Sequence, residues 1–195
     1  MLSWVVTKTT AIEGPQPMQR IVAGITSLEQ HEQAIDELPE KYRPPCCPHC
    51  GIKIVWSHGC YYRKADLCNH GAANRNPVPI LRYCCSICRR TCSRLPECIA
   101  PRRWYNWRLQ QVGLSPVIGS AAPTSSVVGP TPAYRTLKRW RQWLQEHGGL
   151  FRFSLTSRFP DLGRVADDTH FWREVFDTMG LSRAMAWCNQ EISVP

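Results

Sequence analysis

Two short stretches, RPPCCPHCG at residues 43–51 and RYCCSICRR at residues 82–90, decide the fold of this chain. Each contains a C-x-x-C pair, Cys47 with Cys50 and Cys85 with Cys88, and residues 51–84 separate the two pairs. Two such pairs on tight turns supply the tetrahedral set of four thiolates that holds a structural zinc ion. The spacing therefore predicts one structural Zn²⁺ site in a zinc ribbon, with these four cysteines as ligands. A closed site of this kind has no open position for a substrate, so it does not by itself indicate catalysis.

Each pair is preceded by an extra cysteine, Cys46 or Cys84, so the choice of ligands needs an argument. Adjacent side chains in an extended segment point in opposite directions, and two neighbouring cysteines therefore cannot easily reach one metal ion. The C-x-x-C spacing favours Cys47 and Cys85, whereas the alternative register uses the first cysteine of each doublet. A second metal site is a further alternative, without any paired spacing, and its candidate ligands are His58, Cys60, Cys68, His70, Cys92 and Cys98.

The composition indicates a soluble globular protein of one domain or two small ones. The chain has 195 residues, of which 43% are hydrophobic and 20% are charged. Its first residues lack the basic start and apolar run of a secretion signal, and no run of apolar residues is long enough to span a membrane. We therefore expect a cytoplasmic, nucleoid-associated protein without membrane contact. In that compartment the 11 cysteines are metal ligands and free thiols rather than disulfides.

The formal net charge of +9 is concentrated in the middle of the chain. Residues 41–110 contain 13 Lys or Arg side chains but only two acidic ones, Asp66 and Glu97. Such clustering is costly by self-repulsion unless a polyanion neutralises it, which favours a nucleic-acid surface. The predicted DNA contacts are Arg63, Lys64, Arg82, Arg89, Arg90, Arg94, Arg102 and Arg103, together with Arg135, Lys138, Arg139 and Gln142 on a later helix.

The predicted fold class is α+β, a small Cys₄ zinc-ribbon β unit joined to a helical, helix-turn-helix-like part. Four regions are expected. Residues 1–43 are a lead-in with a short helix that is capped by Ser27 or Thr26 and stops at Pro39. Residues 44–98 are the zinc ribbon, an antiparallel unit with β-prone runs at 52–56, 60–64 and 79–85. Residues 99–149 are the basic helical region, and residues 150–195 are a C-terminal helical segment.

Two helices are expected in the basic region, at 102–111 and at 132–147, the second being the candidate recognition helix. Thr131 is its predicted cap, and Gly148 and Gly149 are its predicted end. The spacer between the helices is longer than the turn of a simple helix-turn-helix. Two short helices are expected in the C-terminal segment, where Gly180 stops the first and Ser182 caps the second.

The motifs CCPHCG, RYCCSICRRTCSRLP and RTLKRWRQWL together resemble the zinc-ribbon, helix-turn-helix proteins of bacterial insertion sequences, which are transposase-related and lack a catalytic domain. The resemblance covers approximately residues 41–147. It implies zinc binding by the four C-x-x-C cysteines, a second knuckle ending at Arg89–Thr91, and DNA binding in transposition or its regulation. Cys84 and Cys92 depart from that pattern, in which a basic and an aromatic residue are more usual, and the 67–77 loop is long.

The expected function is zinc-dependent recognition of a specific site in double-stranded DNA. We expect no enzyme, because the sequence contains no strand-borne carboxylate cluster, no Gly-rich phosphate loop and no nucleophile elbow. One alternative is an adaptor that docks a transposase, another mobile-element protein or an effector complex. The other is a small metal-dependent nuclease or transposase that would use Asp161 or Asp168.

Overall fold

The structure is a computed structural model, and it describes residues 19–64, 75–101, 105–119, 132–190 and 194. The described residues form four strands, β1 Gln19–Val22, β2 Val55–Arg63, β3 Val78–Cys85 and β4 Thr91–Pro96. They also form five α-helices, α1 Leu28–Glu37, α2 Trp107–Leu114, α3 Tyr134–Arg158, α4 Asp168–Thr178 and α5 Gly180–Cys188. The predicted α+β class is confirmed. Within the described ranges, none of the helices combines the length and the hydrophobicity needed to cross a membrane.

The four strands form one sheet in the order β1-β4-β3-β2. β2 pairs antiparallel with β3, and β3 pairs antiparallel with β4, as expected for a ribbon. β1 lies parallel to β4, so the sheet is mixed and the lead-in region contributes one of its edge strands. The runs expected at 52–56 and 60–64 are a single strand with a β-bulge between Ser57 and Cys60, where Gly59 has a φ of +72°.

The helix predicted in the lead-in region is confirmed as α1. Ser27 is its N-cap, and the Ser27 hydroxyl accepts a hydrogen bond of 3.1 Å from the backbone N–H of Gln30. α1 buries His31, whose ring bonds to the Tyr42 hydroxyl through Nδ1 and to the Pro79 carbonyl through Nε2. A carbonyl only accepts, so the proton is on Nε2 and Nδ1 accepts from the Tyr42 O–H. α1 and the following turn are thereby fixed to the sheet.

The predicted end of the second basic helix is wrong, because α3 continues through Gly148 and Gly149 to Arg158. Each glycine costs about 1 kcal/mol in a helix, but tertiary packing outweighs this cost. A Cβ atom on Gly148 would lie 3.6 Å from Trp172 Nε1, and beyond the glycines Phe151 and Leu155 are both 0% exposed. The boundary predicted between residues 149 and 150 therefore lies within a helix. The predicted cap Thr131 lies outside the described residues.

Two other helix starts also differ from the prediction. α2 begins at Trp107 rather than at residue 102, because the Asn106 side chain caps it by accepting from the Leu109 N–H at 2.9 Å. α5 begins at Gly180, and Ser182 lies inside this helix instead of capping it. The Ser182 hydroxyl donates to the Glu97 carbonyl at 2.9 Å, which ties α5 to the segment after β4.

Candidate metal centre

Two turns bring four sulfur atoms together at one end of the sheet. The Sγ atoms of Cys47, Cys50, Cys85 and Cys88 all lie within 4.8 Å of one another. The Cys47–Cys88 sulfur distance is 3.6 Å, and the Cys50–Cys85 distance is 3.5 Å. A tetrahedral zinc ion with Zn–S bonds of about 2.3 Å separates its sulfurs by about 3.8 Å, so the cluster fits such an ion with little adjustment. These four cysteines lie close enough to hold a metal ion.

The two turns have the same backbone hydrogen bonds, which explains why both present their sulfurs in the same way. In each turn the N–H of the first ligand donates to the carbonyl five residues later, and the N–H four residues later donates back to the first ligand's carbonyl. These bonds measure 2.8 and 2.9 Å in the turn that begins at Cys47, and 3.0 and 3.1 Å in the turn that begins at Cys85. We call them the first and the second knuckle.

Each knuckle requires a left-handed residue at its fifth position. In the first knuckle this residue is Gly51, with a φ of +72°, and in the second it is Arg89, with a φ of +58°. Glycine adopts this conformation without a steric penalty, whereas a side chain at that φ is strained. The second knuckle therefore carries backbone strain that the first one lacks.

Backbone N–H groups in the knuckles point toward the sulfurs and favour the thiolate form. The N–H of Cys88, assisted by that of Ile87, lowers the pKa of Cys85 to about 6. Burial raises the pKa of Cys47, and this effect is opposed by the N–H of His49, which lies 3.4 Å from its sulfur. The pKa of Cys50 is also raised, so Cys85 is the ligand that this arrangement prepares for a cation, because a metal ion binds thiolates and not thiols.

The extra cysteine of each doublet lies outside the cluster. The Cys84 thiol bonds to the Arg89 carbonyl at 3.7 Å, behind the second knuckle, while Cys46 lines a cavity beside β1. None of the ten cysteines that the structure describes forms a disulfide.

The described residues form no second metal-ligand group. Cys92 is buried, which raises its pKa to about 11, Cys98 is half-buried, and Cys60 and His58 are exposed on β2. Cys68 and His70 lie outside the described residues.

The predicted DNA contacts divide by exposure. Arg63 and Arg94 are half-buried and donate to the Ala100 and Tyr42 carbonyls at 2.7 and 3.0 Å, and burial lowers the pKa of both guanidinium groups. Arg82 is also half-buried on β3. Arg102 and Arg103 lie outside the described residues. The exposed members are Lys64 at the end of β2, Arg89 and Arg90 in the second knuckle, and Arg135, Lys138, Arg139 and Gln142 on α3.

The four exposed residues of α3 share one face, because their spacing is i, i+3, i+4 and i+7. The opposite face of the helix buries Trp140 and Leu144. Gly113 lets α2 approach this helix closely, since a Cβ there would lie 2.7 Å from Leu137 Cδ2. The α2–α3 pair thus has tight helix packing, although nineteen residues, 115–133, separate the two helices in sequence.

One group of surface residues was not predicted from the sequence. Ile54, Trp56 and Ile87 are 54%, 62% and 65% exposed around the two knuckles. The Ser86 N–H and hydroxyl both bond to the Ile54 carbonyl, which joins the second knuckle to the segment between the first knuckle and β2. Ile87 lies inside the second C-x-x-C turn, whereas Ile54 and Trp56 belong to the β-prone run of residues 52–56, which gave no sign that their side chains are exposed.

The carboxylates of the nuclease alternative lie in surface ion pairs. Asp168 contacts Arg152 at 2.8 Å, and Asp161 contacts Arg164 at 3.2 Å.

Residues 47–140 match the model of a protein family described as a domain of unknown function, DUF6431. The match begins at the first cysteine of the cluster, includes all four of them and ends within α3. No curated protein matches the chain, and no solved structure does.

Proposed function

We propose that this chain is a zinc-stabilised DNA-binding protein whose exposed basic residues contact the phosphates of duplex DNA. The observation that carries the proposal is the four-sulfur cluster on two matched knuckles, with Arg89 and Arg90 exposed in the second one. A set of four cysteines is typical of zinc or iron–sulfur sites, and sulfurs this close fit a single ion. The ion would cross-link the two knuckles and contribute folding free energy on the order of 10 kcal/mol.

The chain's own residues would supply the DNA contacts. Arg and Lys side chains bind phosphate oxygens and fix the orientation of a protein on the duplex. Arg135, Lys138 and Arg139 lie on the exposed face of α3, opposite its core face. We propose that this face lies along the DNA backbone or in the major groove, and that the second knuckle adds further phosphate contacts. The resemblance to insertion-sequence proteins suggests transposition or its regulation as the setting.

The test is a duplex-binding selection with metal-loaded protein, followed by affinity measurements at several salt concentrations. The logarithm of the affinity should fall by about 0.9 per phosphate neutralised for each unit of log salt. Arg139→Gln should reduce the steepness of that slope by about 0.9, the contribution of one phosphate contact, and should weaken binding to all duplexes. The control is Arg164→Gln, which removes one charge from the exposed Pro160–Arg164 turn and should change neither the slope nor the affinity. No binding to any duplex, or an affinity that does not change with salt concentration, would refute the proposal.

Elemental analysis of the purified protein tests the metal. We expect one zinc per chain and no visible absorbance from iron. A colourless protein without bound metal, or an iron-containing one, would contradict the zinc assignment.

A second candidate function, an adaptor, is favoured by the exposed apolar side chains of the knuckles. Ile54, Trp56 and Ile87 are exposed, and the exposed Arg89 and Arg90 follow Ile87 in the second knuckle. Exposed apolar side chains near polar ones are typical of protein interfaces. A partner that stays bound at high salt and after nuclease treatment, and is lost in Trp56→Ser, would support this function. Binding to duplex DNA that Trp56→Ser leaves unchanged would favour the first proposal.

A further inference from the structure

A cavity lies between α3, the start of α4 and the Ser115–Ile118 turn that follows α2. Its volume is about 360 Å³, which is within the range of small-ligand sites. Its apolar lining includes Ile118, Leu144 and Trp172, and each of these residues is at most 5% exposed. Its polar lining consists of Arg141, Gln145, Asp168 and Thr169. An apolar wall with a few polar groups beside it is the usual composition of a ligand site.

Helical spacing puts the α3 part of the lining on one face of that helix. Arg141, Leu144, Gln145 and Gly148 are spaced i, i+3, i+4 and i+7. Gly148 leaves room between α3 and α4, because a Cβ built on it would lie 3.6 Å from Trp172 Nε1. A long side chain at this position would therefore enter the cavity.

Two further arginines hold the walls of the cavity in place. Arg152 of α3 donates to the Asp168 carboxylate at 2.8 Å, which fixes the start of α4 against α3. Arg173 of α4 donates to the carbonyls of Ile118 and Gly119 at 3.2 and 3.1 Å, which fixes the turn against α4. Because these bonds form without a ligand, the cavity is preorganised and binding costs little ordering of the protein.

The charges of the lining leave one guanidinium for a ligand. Asp168 is already balanced by its ion pair with Arg152. Arg141 has no ion-pair partner in the part of the chain that the structure describes, and its Nε is buried without a hydrogen-bond partner there. An unpaired buried donor is costly, so a small turn of this side chain that brings its N–H groups onto a ligand oxygen is favourable. The site thus favours a ligand with one negative charge.

A carboxylate suits this site better than a phosphate does. The guanidinium fork matches the two oxygens of a carboxylate and can donate to both of them. A phosphate group carries a charge of about −1.5 to −2 at neutral pH, which one guanidinium does not neutralise and which Asp168 would repel. The apolar wall in turn requires that the carboxylate be attached to an apolar body.

We propose that this cavity binds a small monocarboxylic acid with an apolar body. Arg141 donates to the carboxylate, and Ile118, Leu144 and Trp172 enclose the body. The proposal does not rest on DNA binding, because the exposed basic residues of the second knuckle and of α3 do not line the cavity. Loss of either activity would therefore leave the other unchanged.

The experiment is calorimetric titration of the metal-loaded full chain with hexanoate, 3-phenylpropionate and indole-3-propionate, each compared with its uncharged primary amide. We expect saturable binding of at least one acid, about tenfold or more tighter than its amide, since the acid makes a charge-assisted hydrogen bond. Arg141→Gln should abolish this preference. Arg164→Gln removes one positive charge from the surface elsewhere and should leave the preference unchanged. Absence of saturable binding for all three acids, or equal effects of the two substitutions, would overturn the proposal.

A second variant tests where the body lies. Gly148→Met introduces a flexible side chain that fills the cavity, and methionine is a good helix former. It should abolish binding of the acid and of its amide alike, and undiminished binding would contradict the proposed placement.

A measurement on the unaltered protein covers the case in which a variant does not fold. The indole N–H resonance of Trp172 should shift in NMR spectra as the tightest-binding acid is added. A resonance that does not move at saturation would place the ligand elsewhere and overturn the proposal.

Discussion

Replacing the left-handed residue of each knuckle should change metal affinity in opposite directions. The two positions are equivalent by hydrogen bonding, but one is Gly51, with a φ of +72°, and the other is Arg89, with a φ of +58°. Gly51→Ala places a side chain on a left-handed residue, where it is strained. Arg89→Gly removes the side chain from a left-handed residue and so relieves that strain. No heavy atom lies within 4 Å of a Cβ built on Gly51, so the substitution acts through the backbone and not through a clash.

The magnitude follows from two opposing contributions. A left-handed conformation costs a non-glycine residue about 1–2 kcal/mol, and replacing glycine regains about 0.4–1 kcal/mol by restricting the unfolded chain. The net cost of Gly51→Ala is therefore on the order of 1 kcal/mol. Since metal binding requires the folded knuckle, this cost weakens the apparent metal affinity roughly fivefold. For Arg89→Gly both contributions reverse, and the affinity should rise by a similar factor.

The assay is competition for Zn²⁺ between the protein and a chromophoric chelator at fixed pH. Ile87→Ser, a substitution at an exposed position of the second knuckle with ordinary backbone geometry, is the control and should leave the affinity within twofold of the original. If Arg89→Gly weakens metal binding, the backbone strain assigned to Arg89 is absent. If Gly51→Ala leaves metal binding unchanged, the left-handed conformation at this position has no energetic cost, and the reasoning is refuted.

Three further predictions concern the ligands, the sheet and the long helix. Cys47→Ser should lose the metal while Cys46→Ser keeps one ion per chain, as measured by elemental analysis; the reverse result would mean that the ligand register is wrong. Burial lowers the pKa of His31, so His31 becomes protonated at a lower pH in the folded chain than in the unfolded chain. The free energy of unfolding should therefore fall as the pH drops below about 6.5, the pKa of an unperturbed histidine. Denaturant titrations between pH 7.5 and 5 should show a shallower fall in His31→Gln, and identical slopes would exclude this role. Phe151→Ala should lower the free energy of unfolding by about 3–5 kcal/mol. Leu150→Ala, at a position that is 59% exposed, should change it by less than about 1 kcal/mol, and equal effects would contradict the observed length of α3.

Local patterns in the sequence were sufficient to predict the features that depend on neighbouring residues. The C-x-x-C spacing predicted the sulfur cluster, because each knuckle is closed by hydrogen bonds within six residues of the chain. Ser27 predicted the start of α1 for the same reason, since a cap is a contact between residues three positions apart. The charge distribution predicted a basic region but not which of its arginines are exposed. Arg90 lies on the surface, whereas Arg94 is half-buried and donates to the Tyr42 carbonyl.

Features that depend on distant residues could not be read from the sequence. The two glycines of α3 were interpreted as a helix end because glycine is a poor helix former. The helix continues because Phe151 and Leu155 pack in the core of the helical part, which involves residues distant in sequence. β4 was not predicted, since the alternation in TCSRLP is weak and its pairing with β3 supplies the stability. β1 was not predicted either, because four residues give no periodic signal and its partner lies more than seventy residues away.

β1 is one of the connections between the sheet and the helical part, beside the bond between Ser182 and the Glu97 carbonyl. Successive side chains of a strand point to opposite faces, and in β1 Ile21 joins the core of the helical part whereas Val22 joins the core that contains Cys47 and Cys85. The same strand carries Arg20, which bonds to the end of α5. Because the knuckles and α3 belong to separate cores, their relative orientation depends on β1 and on the contacts around it. The lead-in region, which the sequence presents as a separate segment, is therefore one of the elements that set how the second knuckle and α3 are oriented.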